Sequence, residues 1–130
     1  MRIFETKIRV RYEETDAMGV VYYSNYFVWF EVARTEFLRS IGLSYKKMEE
    51  EGFRLAVVDA SCRYKAPSRY DDVVNLQTWV SDVGNASLRF EYKVSCREKL
   101  LATGMTAHVF TDPALKPVKI PQALREVLLV

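Results

Sequence analysis

The sequence predicts an α+β fold in which a curved antiparallel sheet of about five strands wraps around one long helix. Residues 24–41 carry apolar side chains at helical spacing, over an arc wider than a surface helix needs. Residues 4–12 and 87–97 alternate strictly from one residue to the next, as strands with one wet face do. Because one wide apolar helix must be covered, a sheet curled around it is the economical arrangement.

The first strand is expected at residues 4–12, ahead of the long helix. Uncharged residues form one face and charged residues the other. The uncharged face consists of Phe4, Thr6, Ile8, Val10 and Tyr12, and the charged face of Glu5, Lys7, Arg9 and Arg11.

The long helix is expected to begin at Ser24 and to end at Gly42, which supplies a left-handed stop. Its apolar stripe comprises Tyr26, Phe30, Ala33, Phe37 and Ile41, flanked by Phe27, Trp29 and Leu38. Its polar strip comprises Glu31, Thr35 and Arg39. Val28 and Val32 interrupt that strip, which indicates a second contact surface on the helix.

A short helix at residues 44–51 and four more strands follow. The strands are predicted at residues 55–65, 73–83, 87–97 and 100–111, in a meander, with a turn at 66–72 and a short helix at 122–130. In the first of these strands Ala56, Val58, Ala60, Cys62 and Tyr64 are expected to face the helix. One helix cannot cover every strand edge, so we expect dimerisation through an edge, with Val28 and Val32 contributing.

Length and composition favour one domain over residues 1–130, with 49% hydrophobic and 28% charged residues. The net charge of +2 is spread along the chain, which argues against a nucleic-acid surface. No apolar run reaches membrane-spanning length, and the N-terminus lacks the pattern of a secretion signal, so we expect a cytoplasmic protein. Cys62 and Cys96 are interpreted as reduced core thiols, and a single histidine, His108, disfavours a histidine-based metal site.

Asp16 is the strongest candidate for chemistry, because it lies just ahead of the helix across a glycine turn at Gly19. Carbonyl chemistry requires a base or nucleophile close to donors for the developing oxyanion. The turn could bring Asp16 to the free N–H groups near Tyr23 and Ser24. Alternatively, Asp16 is only a turn residue, or it pairs with Arg11 or Arg34.

The string YEETDAMGVVYYSNYFVWFEVARTEFLRSIG, continued by YKAPSRYDD at residues 64–72, resembles the 4-hydroxybenzoyl-CoA thioesterase family of hotdog-fold proteins. The resemblance is greatest to the branch of acyl-CoA thioesterases associated with the tol-pal system. It implies a sheet around a long helix, active sites at a dimer interface, further pairing into tetramers, and hydrolysis of a CoA thioester without metal or other cofactor.

The resemblance places the catalytic aspartate at Asp16 and the backbone donor at Tyr23. Many tol-pal-associated members have histidine at that second position, whereas the 4-hydroxybenzoyl-CoA enzymes have tyrosine, as here. A backbone donor does not depend on the side chain, but no imidazole is available at this point.

Other charged residues have weaker claims. Lys65 and Arg69, with Arg63, could bind the phosphates of CoA, or they could be basic residues of a solvated sheet face. Glu31 is interpreted as structural, satisfied by Arg34 or Thr35. Asp59 and His108 are interpreted as surface and packing residues, respectively.

These observations predict a hydrolase that cleaves acyl-CoA thioesters, with Asp16 as nucleophile or general base. One alternative is a non-hydrolytic protein on the same fold that binds acyl-CoA or an acyl carrier protein. A hotdog dehydratase is the other, and it is disfavoured because that chemistry usually needs a histidine near the helix start.

Overall fold

The computed structural model describes residues 2–129 and contains one five-stranded antiparallel sheet with a long helix against it. The strands are β1 (Phe4–Arg9), β2 (Arg54–Tyr64), β3 (Val73–Val83), β4 (Ser87–Cys96) and β5 (Lys99–Thr111). The helices are α1 (Asn25–Ser40), α2 (Tyr45–Glu50) and α3 (Gln122–Leu128), with a 3₁₀ turn at Tyr12–Glu14. The predicted α+β fold, a curved sheet around one long helix, is confirmed.

The core lies between α1 and the sheet. On the helix, Tyr26, Trp29, Phe30, Ala33, Phe37 and Leu38 are buried. On β4, Leu88, Phe90, Tyr92, Val94 and Cys96 are buried, as their alternation predicts. Phe30 stacks on Tyr92 with ring centroids 4.2 Å apart, and Gly104 of β5 leaves the space for it, since a Cβ there would lie 2.4 Å from the Phe30 ring.

The strand order β1-β3-β4-β5-β2 contradicts the predicted four-strand meander, because β2 pairs with β5 and β3 pairs with β1. Residues 66–72, predicted as a turn, instead form part of a crossing connection between β2 and β3. The Val10 amide donates to the Asp72 carbonyl at 2.8 Å, and the Val21 amide donates to the Ser68 carbonyl at 2.8 Å. The connection is therefore tied to the end of β1 and to the approach to α1, at sites remote in sequence.

The predicted inward face of β2 is wrong for its first half. A bulge between Val57 and Asp59 shifts the alternation by one residue, so Leu55, rather than Ala56, is buried opposite Phe110. Beyond the bulge the prediction holds only in part, since Cys62 is half-buried against the core whereas Ala60 and Tyr64 are exposed.

The strand predicted for residues 4–12 ends at Arg9, and the chain then enters the 3₁₀ turn. Tyr12, expected to face inward, is 76% exposed and packs edge-on against Tyr70. At the other end, α3 stops at Leu128, and Val130, predicted as helical, lies outside the described residues. Between residues 2 and 129, no helix has the length and apolar character needed to cross a membrane.

Candidate active site

A cleft of about 530 Å³ opens where the chain enters α1. Its polar lining residues are Asp16, Tyr22, Tyr23, Tyr26, Tyr64 and Lys65, and the rest of its wall is apolar. The residues come from the Asp16 turn, the first turn of the helix and the end of β2. The fold thus brings the carboxylate and the helix start predicted from the sequence to one cavity.

Asp16 is held in a tight turn that is closed by its own backbone. Its amide donates to the Val20 carbonyl and its carbonyl accepts the Gly19 amide, both at 2.9 Å. Gly19 has φ +78°, a left-handed conformation that strains any residue with a side chain. Oδ1 of Asp16 accepts the Met18 amide at 2.9 Å, while Oδ2 has no hydrogen bond to any of residues 2–129. One carboxylate oxygen is therefore fixed and the other is available to a ligand.

The backbone immediately before α1 has free donors. The Asn25 amide donates to the Tyr22 carbonyl at 3.0 Å, and the Tyr26 amide donates to the Tyr23 carbonyl at 3.3 Å. Within the described part of the chain, the amides of Tyr23 and Ser24 have no acceptor. Such N–H groups carry the positive end of the helix dipole and can bind a developing negative charge.

Glu14 connects the Asp16 turn to the helix and was not predicted from the sequence. Its buried carboxylate accepts the Trp29 indole N–H at 2.9 Å and the Arg11 amide at 2.8 Å. Its carbonyl accepts the Tyr22 amide and the Asn25 side-chain amide, each at 2.8 Å. A buried tryptophan needs a hydrogen-bond acceptor, so Trp29 was the one available signal.

Known proteins are similar to this chain in sequence and in fold. The family model of the thioesterase-like superfamily matches residues 10–128. The chain belongs to this superfamily. The acyl-CoA thioester hydrolase YbgC of Escherichia coli O157:H7 is 35% identical over 124 residues, which cover 94% of this chain and 92% of that protein.

Two crystal structures show the same fold. A hypothetical protein from Aquifex aeolicus superposes with a TM-score of 0.92 at 39% identity, covering 96% of this chain and 98% of that one. The DHNA-CoA thioesterase of Staphylococcus aureus superposes with a TM-score of 0.91 at 33% identity, covering 97% of this chain and 86% of that one. The architecture of this thioesterase-like protein is therefore the hotdog fold.

The alternative in which Asp16 pairs with Arg11 or Arg34 is wrong in this superfamily member. Arg11 pairs with Glu13 at 2.7 Å and lies 3.6 Å from Glu14. The Arg34 charge acts instead on Tyr92 and His108 in the core. Among residues 2–129, Asp16 takes part in no ion pair.

Tyr22 and Tyr23 stand side by side at the cleft, with ring centroids 4.7 Å apart. The pKa of Tyr22 is raised, chiefly by the neighbouring Tyr23 hydroxyl and to a smaller extent by the charge of Asp16. Asp16 and both tyrosines line the same cleft.

Of the three basic residues predicted to bind CoA, only Lys65 lines the cleft. Its side chain is exposed. Arg69 is exposed two residues beyond the lining residue Pro67, and its amide is bound by the Asp72 carboxylate at 2.9 Å. Arg63 does not line the cleft, and lies on the outer face of the sheet with Trp79 and Lys93.

The weaker candidates lie away from the cleft. Glu31 is exposed on α1, and within the described chain it makes neither of the expected contacts with Arg34 and Thr35. Asp59 is exposed on β2. His108 is buried against Phe90, where its Nε2 lies 2.8 Å from Thr106 Oγ1, and burial lowers its pKa to about 4. No group of three or more metal-ligating side chains occurs in the part of the chain that is described.

Proposed function

We propose that this protein hydrolyses acyl-CoA thioesters to a free acid and CoA, with Asp16 as the catalytic carboxylate. The Tyr23 and Ser24 amides bind the carbonyl oxygen as it becomes negative. The observation that carries this proposal is the opening of Asp16 and of the helix start into one cleft. The 35% identity to the E. coli acyl-CoA thioester hydrolase supports the substrate class.

Two routes use the free Oδ2 of Asp16. In one, Oδ2 attacks the thioester carbon, the C–S bond breaks, CoA leaves as its thiolate, and water hydrolyses the resulting mixed anhydride. In the other, Asp16 accepts a proton from a water molecule that attacks the same carbon, the C–S bond breaks, and CoA leaves as its thiolate. In both routes the negative charge collects on the carbonyl oxygen, where one amide donor lowers the barrier by on the order of 3 kcal/mol.

Lys65 and Arg69 are assigned to the phosphates of CoA. Lys65 lies at the cleft itself, and Arg69 lies on the adjacent connection between β2 and β3. Both side chains are exposed, as a site for a large, charged and partly solvated ligand requires.

Within the superfamily, the motif at residues 12–42 favours the 4-hydroxybenzoyl-CoA thioesterase family and its tol-pal-associated branch. Tyr23 stands where many tol-pal-associated members have histidine, so the acyl preference is to be measured rather than transferred. We place the protein in the cytoplasm. We also propose that it forms a homodimer or tetramer, in which a second copy covers the open edge of the sheet at β2.

The proposal is tested with acetyl-CoA, octanoyl-CoA and benzoyl-CoA, following release of free thiol. We expect the native chain to hydrolyse at least one of them, and both Asp16→Ala and Asp16→Asn to lower kcat by at least about 100-fold. Asp82→Asn, which removes an exposed carboxylate on β3, is the matched control and should retain native activity.

Two results would contradict the mechanism in different ways. Activity that survives both Asp16 substitutions removes this residue from the reaction. Saturable binding of acyl-CoA without thiol release by the native chain supports the non-hydrolytic binding protein instead.

A further inference from the structure

The hydroxyl of Tyr64, at the end of β2, donates a hydrogen bond to the backbone carbonyl of Tyr23 at 2.8 Å. The only helix donor to this carbonyl in the described residues is the Tyr26 amide, at the longer distance of 3.3 Å. The shorter bond therefore comes from a different element, 41 residues away in sequence. It links the sheet to the residue whose amide is free.

This bond determines where a backbone donor points. In a trans peptide the N–H lies opposite the C=O in one rigid plane, so holding the Tyr23 carbonyl also orients the Ser24 amide. The preceding plane carries the Tyr23 amide and is held by the Asn25 amide on the Tyr22 carbonyl, at 3.0 Å. Tyr23 is thus fixed on both sides, and neither of its flanking planes can rotate freely.

We propose that Tyr64 is a positioning residue for thioester hydrolysis, whose hydroxyl holds the 23–24 peptide so that the free amides face the substrate oxygen. The inference rests on the proposed function and extends it to a residue that does not react itself. Bonding to the carbonyl also polarises the peptide and strengthens its N–H as a donor.

The surroundings of Tyr64 suit this role. Its ring lies edge-on to Tyr26 at 5.1 Å and to Tyr23 at 6.4 Å, which holds the hydroxyl in place. Partial burial raises the pKa of Tyr64, which is 45% exposed, so the hydroxyl keeps the proton that it must donate. The hydrogen bond is consequently maintained over the pH range of an enzyme assay.

Tyr64→Phe removes the hydroxyl and keeps the ring. Loss of a direct oxyanion donor lowers kcat by about 10²–10³, and we expect about a tenfold loss when the donor is only misaligned. KM should stay within about twofold, because the ground-state carbonyl is bound less strongly than the oxyanion.

Tyr45→Phe is the matched control. The Tyr45 hydroxyl also donates to a backbone carbonyl, that of Leu55, at 3.2 Å. Tyr45 lies on α2, however, and does not line the cleft. We expect this variant to keep native kcat. Thermal unfolding of both variants shows whether any loss of stability is comparable.

A second measurement reports directly on the thioester carbonyl of the bound substrate. Benzoyl-CoA labelled with ¹³C at the carbonyl is bound to Asp16→Asn, and the infrared band of its C=O is compared in Asp16→Asn and in Asp16→Asn with Tyr64→Phe. We expect the band to move back toward its position in free benzoyl-CoA when the hydroxyl is absent. A purely structural role for Tyr64 would leave the band unchanged.

The outcomes separate the two proposals. A native chain that releases no thiol from any acyl-CoA overturns the proposed function and this inference with it. An active native chain whose kcat is unchanged by Tyr64→Phe overturns only the positioning role. A lower kcat with an unmoved carbonyl band overturns it as well, because the loss then arises outside the oxyanion site.

Discussion

Glu14 connects the Asp16 turn to α1 through hydrogen bonds of its side chain and its backbone. Its carboxylate bonds to Trp29 of α1 and to the Arg11 amide, and it is only 4% exposed. Burying a carboxylate costs little only when its oxygens accept hydrogen bonds. Because Glu14 precedes Asp16 by two residues, the same contacts fix the start of the Asp16 turn.

Glu14→Gln should lower the free energy of unfolding by about 1–3 kcal/mol. The side chain keeps its shape, but one of its two oxygens becomes an NH₂ group, which meets the indole N–H or the Arg11 amide as a second donor. Urea unfolding, followed by tryptophan fluorescence, measures the loss.

Glu13→Gln is the control for Glu14→Gln, since Glu13 also contacts Arg11 but is exposed. A solvent-exposed ion pair contributes about 0–1 kcal/mol, so its loss should be small. Equal effects of the two substitutions would show that the buried bonds of Glu14 do not stabilise the fold.

Sequence alone predicted the candidate site only in part at this scale. Asp16 and Tyr23 stand out because a carboxylate, a glycine and a helix start follow one another along the chain. Glu14 and Tyr64 do not, since their partners, Trp29 and the Tyr23 carbonyl, lie 15 and 41 residues away. Only the folded chain brings them together.

At the scale of elements, the approach of α1 to the sheet depends on Gly104. The ring of Phe30 occupies the space over this glycine and stacks on Tyr92 of the next strand. The backbone carbonyl of Ser61 closes the other side, 3.0 Å from where a Cβ would lie. The space around Gly104 therefore has little freedom to expand.

Gly104→Ala should be destabilising, because the new methyl group would lie 2.4 Å from two carbons of the Phe30 ring. Overpacking of this kind costs about 1–3 kcal/mol, against about 0.5–1 kcal/mol that alanine gains over glycine in a strand. Unfolding in urea measures the difference.

A second substitution tests the cause of that loss. Phe30→Leu removes the ring atoms that the methyl group meets, so the double variant should be less destabilised than the sum of the two single ones. Strict additivity would place the strain of Gly104→Ala elsewhere.

The strands show what local pattern predicts and what it does not. The bounds of β3 and the buried face of β4 follow from period-two alternation, which each strand carries in its own residues. The prediction of which β2 side chains face the helix was wrong at the bulge near Val58. A bulge shifts the inward and outward alternation by one residue, and the amino-acid composition does not reveal it. The prediction of the strand order was wrong for a related reason. Which strands pair depends on contacts between residues remote in sequence, such as the hydrogen bond from the Val10 amide to the Asp72 carbonyl.

At the scale of the whole molecule, the two edge strands of the sheet each have one side without a neighbouring strand. The strand order leaves β1 and β2 with one neighbour each, and β2 is the longer. Val57 and Val58 on β2 are 50% and 62% exposed. Val28 and Val32 on α1 are also exposed, as the interruption of its polar strip predicts. Long apolar edges of this kind invite pairing with another chain.

We therefore expect the native chain to have at least twice the 15.1 kDa mass of one chain in size-exclusion chromatography with light scattering. Val58→Lys places a charge on the β2 edge, and Val28→Glu with Val32→Glu places two on the helix. Each change should shift the mass toward that of a single chain, because a buried unpaired charge costs several kcal/mol. Leu115→Glu, in the exposed loop after β5, is the control and should leave the mass unchanged. A native chain that runs as a monomer at micromolar concentration, or a dimer unaffected by all three valine substitutions, would show that neither surface is the interface.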